Sequence, residues 1–512
     1  MLVTADTARL HRSRRLRRLA LAAVVGLLAI APAAARAAAA PYVPGVVVVG
    51  FANGTPAAAR GALLVRAGMA RVSAPQSDVR EVHLRRGVGV ADAIARLRAN
   101  RSVLWAVPDY IAHEAGTAES LDPYEAVDPV DLLEPFSLGS PFQLAAPFIP
   151  NDPGSAGTPG GWQQLQWNFV GQYGVGAPQA WANLIADGHP GGSGVTVAVL
   201  DTGVAYANHG RYVRSPDFSP YEFVHGWDFV ANSPYPEDRN GHGTQVAGTI
   251  AEETNNGVGV TGLAYGVRLM PIRVLNGQGN GDATRIAEGV DFAVNHHAQI
   301  INMSLEFTAG TITANDIPQL IAAIDYAHSK NVLVVAAAGN ESMAQLSYPA
   351  KARYVLAVGA STDDGCLAYY SNYGAALDLV APGGGGDAAV PGDANCVPDS
   401  ATAGPDIIQE TFLGLNYPDP RVFGLPDGYY GTSMAAPHVS ATAALVIASG
   451  VLGPHPTVAE IVARLEATAT PLGPNGVDDP THYGYGLVNA AAATAPTGST
   501  GPTGTSGPTG AT

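Results

Sequence analysis

Three short segments of this chain each place one side chain of a catalytic type beside glycine or threonine. Asp201 precedes Thr-Gly, His242 stands between two glycines, and Ser433 follows Gly-Thr and precedes Met-Ala-Ala-Pro. A serine hydroxyl becomes nucleophilic when a histidine takes its proton, and a buried carboxylate holds that imidazole in the required tautomer. The chain order Asp, His, Ser is one of the known orders of such a triad. The three segments therefore predict nucleophilic catalysis by Ser433.

Each of these residues has an ordinary structural explanation when it is taken alone. An aspartate before Thr-Gly suits a turn, and a histidine or serine among small residues suits a helix start. The joint agreement of residue types, chain order and expected elements favours the catalytic interpretation. A helix that starts at Ser433 would also direct free N–H groups toward a developing oxyanion.

The elements that must position these residues are predicted from apolar patterns. Nearly continuous apolar runs, typical of buried strands, occupy 195–200, 300–305, 332–338, 354–359 and 377–380. Segments of helical character occupy 243–252, 282–297, 317–329, 433–449 and 457–467. Strands that are apolar on both faces belong to parallel sheets covered by helices. The alternation predicts an α/β fold with an open, mostly parallel sheet, in which Asp201 follows a strand end, where ligands bind.

The chain divides into five expected units by composition. They are a secretory signal over 1–37, a small α+β domain over 41–112, an acidic linker over 113–150, the α/β unit over 151–495 and a disordered tail over 496–512. The signal is predicted because a cluster of five arginines over 12–18 precedes an apolar run from Leu19 to Ala31, which is too short to span a membrane. A retained N-terminal anchor is the alternative for the signal, and trimerisation is the alternative for the tail.

The small domain is predicted from three segments. Val46–Val49 is a β-branched run typical of a strand, and apolar residues recur at helical spacing from Val90 to Leu97. A second strand is expected over 102–107, ended by Pro108. The linker mixes acidic residues with proline and small residues, which predicts an extended, exposed stretch.

Charge and cysteine content limit the function classes. The chain has 43 acidic against 27 basic residues, a net charge of −16, which argues against nucleic acid as a partner. Its two cysteines, Cys366 and Cys396, are expected to pair in an oxidising compartment, with two separate buried thiols as the alternative. The irregular segment from Gly383 to Tyr430 is long enough to be either functional or disordered.

The three catalytic segments together resemble those of the subtilisin-like serine proteases, the subtilases of peptidase family S8, over roughly 162–492. Residues 103–110 resemble the end of an inhibitor I9-like propeptide. The resemblance implies a secreted endopeptidase, made as a self-processing zymogen, with protein or peptide substrates and its own propeptide as inhibitor. Neither a nucleic acid partner nor a stable membrane anchor is expected. The alternative is an inactive subtilase scaffold that serves as a binding or structural protein.

The resemblance also implies further site residues. Asn340 would be the side-chain donor of an oxyanion hole, together with the backbone N–H of Ser433. The cleft edges, where a peptide strand adds by backbone hydrogen bonds, would be Gly279 and Gly281 on one side and Ser304, Leu305 and Glu306 on the other. Relatives usually have glycine where this chain has Glu306. With Glu341 it is expected at the rim of the primary pocket, where it would disfavour bulky aromatic residues and attract Arg or Lys.

Structural calcium is the cofactor that the resemblance implies. Residues 253–260 resemble the calcium loop that follows the catalytic histidine helix, and calcium prefers oxygen ligands. The implied ligands are Gln166, Asp217, Asn256 and the carbonyls of Thr254, Val258 and Val260. A glycine-rich turn without metal is the alternative.

Overall fold

The structure is a computed structural model that describes residues 40–72, 79–116, 146–398, 404–414, 419–474 and 479–496. The predicted signal over 1–37, most of the predicted acidic linker and nearly all of the predicted tail lie outside the described residues.

The N-terminal domain is an antiparallel sheet with two helices packed on it. Its elements are β1 (Tyr42–Phe51), α1 (Ala57–Ala67), β2 (Met69–Val72), β3 (Val79–Leu84), α2 (Val90–Arg98) and β4 (Val103–Glu114). The sheet order is β2, β3, β1, β4. Alternate residues of β1, among them Val47, Val49 and Phe51, are buried against Leu64 of α1 and Leu97 of α2. The predicted strand, helix and strand are present, and α1, β2 and β3 were missed.

The expected end of the second strand at Pro108 is wrong. Pro108 lies opposite Val47 inside the β1–β4 pair, and β4 continues through Glu114. It continues because its second half gains new partner strands outside the small domain, as described below. The predicted exposed linker is therefore also wrong for 113–116, because Ala115 is fully buried and its neighbours are partly buried.

The second domain begins with short helical turns and a parallel sheet. Its elements to the middle of the chain are 3-10 turns at Gly154–Ala156 and Gly161–Gln164, α3 (Trp167–Val170), α4 (Ala177–Ala186), β5 (Thr196–Asp201), β6 (Trp227–Asp228), α5 (His242–Ala251), β7 (Arg268–Arg273), β8 (Asn280–Asp282), α6 (Ala283–Asn295), β9 (Ile300–Met303) and β10 (Leu305–Glu306). The remaining elements are α7 (Pro318–Ser329), β11 (Leu333–Ala337), β12 (Val355–Ser361), β13 (Leu379–Pro382), β14 (Thr411–Phe412), β15 (Phe423–Gly424), α8 (Thr432–Ser449), α9 (Val458–Thr468), α10 (Pro480–Tyr483) and α11 (Ala490–Thr494).

The main sheet has seven parallel strands in the order β13, β12, β11, β9, β5, β7, β6. Helices cover both faces: Val197 and Val199 of β5 belong to a core that includes α4, α5 and α8, whereas Ala198 and Leu200 belong to a core that includes α6 and α7. The predicted open α/β sheet is confirmed. Cys366 and Cys396 form the expected disulfide. Among the described helices, none is long and apolar enough to cross a membrane.

One strand is shared between the two domains. The first half of β4 pairs with β1, and its second half lies between β8 and β10, antiparallel to both. The small domain is therefore joined to the α/β domain by a continuous sheet. The predicted irregular segment from Gly383 to Tyr430 contains one short antiparallel pair, β14 with β15, among its described residues.

Candidate active site

Asp201 and His242 meet where a strand end faces a helix start. Asp201 is the last residue of β5 and His242 the first residue of α5, and Oδ1 of Asp201 lies 2.8 Å from Nδ1 of His242. A side chain at position 243 would clash, because a Cβ on Gly243 would lie 2.1 Å from the Gly203 carbonyl oxygen and 3.1 Å from Asp201 Cβ. Glycine at 243 thus lets the helix start approach the strand end closely enough for this contact.

Asp238 holds both elements in place, although the sequence analysis did not single it out. Its Oδ1 accepts hydrogen bonds from Thr202 Oγ1 and the Gly241 N–H, and its Oδ2 accepts from both the N–H and the hydroxyl of Thr244. The carboxylate satisfies free N–H groups at the start of α5, where a negative charge is also favoured by the helix dipole. Its signal was an aspartate a few residues before a helix start.

The His242 imidazole is buried among carboxylates. Burial by itself lowers its pKa, but the charge and hydrogen bond of Asp201, with the charges of Glu114 and Asp238, raise the pKa overall to about 9. Its Nε2 atom has no hydrogen-bond partner among the described residues. A Cβ on Gly116 would lie 3.5 Å from this Nε2 atom, so Gly116 lies against the free face of the imidazole.

Ser433 lies in the first turn of α8 and is fully buried. Its hydroxyl donates to the Ser304 carbonyl oxygen at 3.0 Å, and the Ser304 hydroxyl donates in return to the Ser433 carbonyl oxygen at 2.8 Å. The Ser433 N–H, which a helix start leaves free, donates to the carbonyl oxygen of Ala115 at 2.8 Å. The backbone N–H of Ser433, the candidate nucleophile, is therefore hydrogen-bonded to the chain's own N-terminal domain.

The predicted cleft edges hold β4 as a third strand. Glu114 N–H donates to the Gly279 carbonyl oxygen at 2.9 Å, and Ala115 N–H donates to the Ser304 carbonyl oxygen at 3.2 Å. Gly281 lies opposite Ala112 on β8, whereas Leu305 and Glu306 lie opposite Glu114 and His113 on β10. All five predicted edge residues thus line the path of β4, and the backbone of residues 112–115 has the geometry of a bound peptide.

Asn340 follows β11 and lies, like the Ala115 carbonyl oxygen, beside Gly431. Its Oδ1 accepts hydrogen bonds from the N–H and the hydroxyl of Thr432, at 3.0 and 2.9 Å, which fixes the orientation of the amide. A Cβ on Gly431 would lie 3.4 Å from Asn340 Nδ2 and 2.8 Å from the Ala115 carbonyl oxygen. Glycine at 431 therefore leaves the space in which that carbonyl oxygen lies.

Glu306 is buried, in contrast to the expectation of a solvated rim carboxylate. Only 2% of the residue is exposed, and its Oε2 accepts a hydrogen bond of 2.8 Å from Ser347 Oγ. Burial, followed by the nearby Glu341 charge, raises the pKa of Glu306 well above its usual range. Glu341 is partly buried and accepts from the Ala309 N–H at 2.7 Å. Burial and the neighbouring Glu341 charge disfavour the charged form of Glu306, which weakens the expected attraction of Arg or Lys.

The predicted calcium loop surrounds two buried carboxylates, Asp217 and Asp152. Asp217 accepts from the Asn256 side chain at 2.8 Å and from the Val260 N–H at 3.0 Å. Burial raises the pKa of Asp217 to about 8 and also raises that of Asp152. Asp152, which the sequence analysis missed, accepts three backbone N–H groups. They belong to Asn255, Asn256 and Gly257.

The other predicted ligands are placed differently. Gln166 uses both atoms of its amide on the backbone of Thr261, at 2.8 and 3.0 Å, and so acts as a clamp on the loop. Thr254 Oγ1 lies 2.5 Å from Thr261 Oγ1, and the Val258 N–H donates to Asn256 Oδ1. Neither Asp152 nor Asp217 forms an ion pair with a cationic side chain among the described residues. Two adjoining buried carboxylates without a cation fit a Ca²⁺ ion, since a charge buried alone is costly.

Comparison with known proteins identifies the two domains. The family model described as the Subtilase family, peptidase S8, matches residues 192–486, and that of the Fervidolysin N-terminal prodomain matches residues 29–109. The chain belongs to the subtilase family. It is thus a subtilisin-type serine protease sequence preceded by a prodomain, and the small domain that supplies β4 is that prodomain.

Named subtilases align with most of the α/β domain. Subtilisin Savinase of Lederbergia lenta is 38% identical over 303 residues, 59% of this chain and 91% of that protein. Alkaline elastase YaB of Bacillus sp. (strain YaB) has the same identity and share of this chain, but the match spans 65% of its own length. Thermitase of Thermoactinomyces vulgaris is 33% identical over 67% of this chain and 98% of its own.

A solved subtilase-like structure agrees with the fold. A protease of Pseudoalteromonas arctica PAMC 21717 superposes with a TM-score of 0.53 at 30% identity, covering 68% of this chain and 98% of that chain.

Proposed function

We propose that this subtilase is the zymogen of an exported serine endopeptidase that hydrolyses protein and peptide substrates. The observation that carries the proposal is the position of its own residues 112–116, which lie in the cleft as a substrate would. Ala115 presents its carbonyl oxygen to the Ser433 N–H, and Gly116 lies against His242. The signal-like sequence and the disulfide support export, because disulfides persist in oxidising compartments.

In the proposed reaction, Ser433 Oγ attacks the carbonyl carbon while His242 Nε2 takes the hydroxyl proton. Asp201 orients the imidazole through Nδ1 and stabilises its charged form. The oxyanion receives hydrogen bonds from the Ser433 N–H and Asn340 Nδ2. His242 then protonates the leaving amine, and water hydrolyses the acyl-enzyme. The Ser433 hydroxyl first leaves Ser304 and turns toward His242, which a change of its χ1 rotamer permits.

The same geometry makes the chain its own first substrate. The bond from Ala115 to Gly116 is the one whose carbonyl oxygen accepts the Ser433 N–H, so we propose that self-processing cuts there. The prodomain fragment would then end at Ala115. The prodomain keeps its backbone hydrogen bonds to the cleft edges after the cut and would act as an inhibitor.

Ser433→Ala tests this proposal in purified, full-length protein. We expect the variant to remain uncut, whereas wild type releases a fragment whose C-terminal residue, measured by mass spectrometry, is Ala115. Ser449→Ala in the same helix is the matched control and should be processed, because its hydroxyl bonds Val446 and Val451 at the far end of α8. Maturation of Ser433→Ala without added protease would contradict self-processing.

The rival, an inactive scaffold used for binding, makes the opposite prediction for chemical labelling. A fluorophosphonate reacts with an activated serine, so the processed wild type should be labelled and Ser433→Ala should not. An unlabelled wild type that still binds peptides would favour the scaffold.

We also propose a structural Ca²⁺ ion in the loop after α5. Asp217 and Asp152 would supply the charge, and the side-chain oxygen of Asn256 with carbonyls of Thr254, Val258 and Val260 would complete the oxygen set. Asp152 replaces Gln166 in this proposal, because Asp152 supplies a negative charge beside Asp217, whereas both amide atoms of the neutral Gln166 bond the Thr261 backbone. The ion would neutralise two buried carboxylates and thereby stabilise the loop.

A further inference from the structure

We propose that Glu306 closes the pocket for the residue before the cleaved bond, the P1 residue, so that this protease selects small uncharged P1 residues such as alanine. The inference rests on the proposed function and adds the substrate class. Its starting point is the register of β4, which places the P1 residue of the self-cleavage site, Ala115, in the cleft.

The register makes Ala115 and Glu306 neighbours on one face. Glu306 lies directly opposite His113, and opposite residues of an antiparallel pair present their side chains to the same face. Ala115 is two residues from His113 and therefore shares that face. Glu306 and Ala115 are thus diagonal neighbours, at a separation that a long side chain can bridge.

The Glu306 side chain crosses from one wall of the cleft to the other. Its backbone belongs to β10, but its carboxyl group accepts a hydrogen bond from Ser347 Oγ, which lies beside the turn at Gly339. A Cβ on Gly339 would lie only 2.5 Å from Glu306 Oε2 and 2.3 Å from Ser347 Oγ. The carboxyl group therefore lies against the turn that carries the oxyanion donor, and it spans the space beneath the P1 position.

A longer P1 side chain would have to displace this carboxyl group. Displacement would break the hydrogen bond from Ser347 Oγ to Glu306 Oε2, which lies against the turn that carries Asn340. Alanine ends before it reaches the carboxyl group, and the residue at P1 in this chain is alanine. Because the carboxyl group is buried, bonded to the neutral Ser347 hydroxyl and next to Glu341 rather than a cation, its charged form is disfavoured, and Arg or Lys at P1 gains little from it.

A peptide library cleaved by purified, processed wild type tests the proposal first. We expect kcat/KM for Ala at P1 to exceed that for Phe by ~10²-fold, within the range that pocket contacts supply. Glu306→Gly should raise the Phe rate at least tenfold and so reduce the ratio. Glu306→Gln, of equal size, should keep the preference for Ala over Phe.

Self-cleavage provides a second readout that needs no external substrate. Ala115→Phe should slow processing strongly, and Glu306→Gly in the same chain should restore it. Glu306→Ala replaces Glu306→Gly if the latter does not fold.

The outcomes separate the two proposals. The role of Glu306 is overturned if wild type cleaves equally well after Ala and Phe. It is also overturned if Glu306→Gly and Glu306→Ala keep the wild-type ratio of kcat/KM for Ala over Phe. If wild type prefers Arg or Lys at P1, the claim that the Glu306 carboxyl group does not attract cationic residues is wrong. No hydrolysis of any peptide, with no fluorophosphonate labelling, overturns the proposed function itself.

Discussion

The two ends of α5 bury carboxylates in opposite electrostatic surroundings. At the N-terminal end, Asp201 lies against the imidazole of His242 and accepts the Thr202 N–H. At the C-terminal end, Asp217 and Asp152 accept only neutral N–H groups. The helix dipole favours negative charge at the first end and opposes it at the second. The difference shows that the N-terminal end has its positive partner, His242, built into the chain. The carboxylates at the C-terminal end need a bound cation or a proton instead.

The largest expected effect is the loss of the counter-charge pair at the N-terminal end. Asp201→Asn should lower kcat by ~10⁴-fold, because the imidazole loses the group that fixes its tautomer. The measurement is hydrolysis of an Ala-P1 peptide by the processed enzyme, obtained by cleavage in trans with wild type. Asp187→Asn at the exposed end of α4 is the control and should match wild type. A loss below tenfold would break the comparison, because Asp201 would then be a structural aspartate.

The next largest expected effect is on the stability of the loop at the C-terminal end of α5. Calcium at 100 times its Kd should add about 2.7 kcal/mol to the free energy of unfolding. Asp217→Asn should abolish the rise of Tm that calcium produces, measured by calorimetry in calcium and in chelator. Gln166→Leu is the matched control: it should lower Tm in both media but keep the difference between them. A wild-type Tm that is the same in chelator would contradict the calcium site, and a lost response in Gln166→Leu would make Gln166 a ligand.

The smallest expected effect is on the pKa of His242, and it comes from Glu114 of the prodomain. Glu114 adds negative charge beside His242 and so helps to raise its pKa to about 9. Neutral His242 is the general base, so self-cleavage should rise with pH through this pKa. Glu114→Gln should shift the rise to lower pH, because the charged imidazole loses one stabilising neighbour. The measurement is the rate of fragment release as a function of pH, with His113→Gln at the adjacent position as control. Identical pH profiles for wild type and Glu114→Gln would contradict the effect.

The parts of this molecule that follow local rules were predictable from sequence. Apolar runs placed β5, β9, β11 and β12 within one or two residues, since strands buried on both faces have few alternative patterns. The catalytic segments were visible because glycine and threonine neighbours are required wherever a helix start approaches a strand end. Gly243 shows this requirement directly in the clash that any side chain there would make.

The parts that depend on distant partners were not predictable. Pro108 looked like the end of a strand, because nothing in the local sequence shows that β8 and β10 receive the continuation of β4. Asp152 was missed as a member of the calcium loop, because its partners lie about a hundred residues later in the chain. Glu306 looked like an exposed rim acid, since acids are rarely buried, and its acceptor role toward Ser347 arises only in the folded cleft.

The strand shared by the two domains has a consequence for timing. Cutting the bond after Ala115 breaks one covalent link but no hydrogen bond of β4 to β1, β8 or β10. Maturation therefore has two steps with separate rates. The first is cleavage by Ser433, and the second is the dissociation of β4, which is hydrogen-bonded along both edges. Because the release of the strand is a separate step after the cut, the enzyme can stay inhibited for some time after it has been processed.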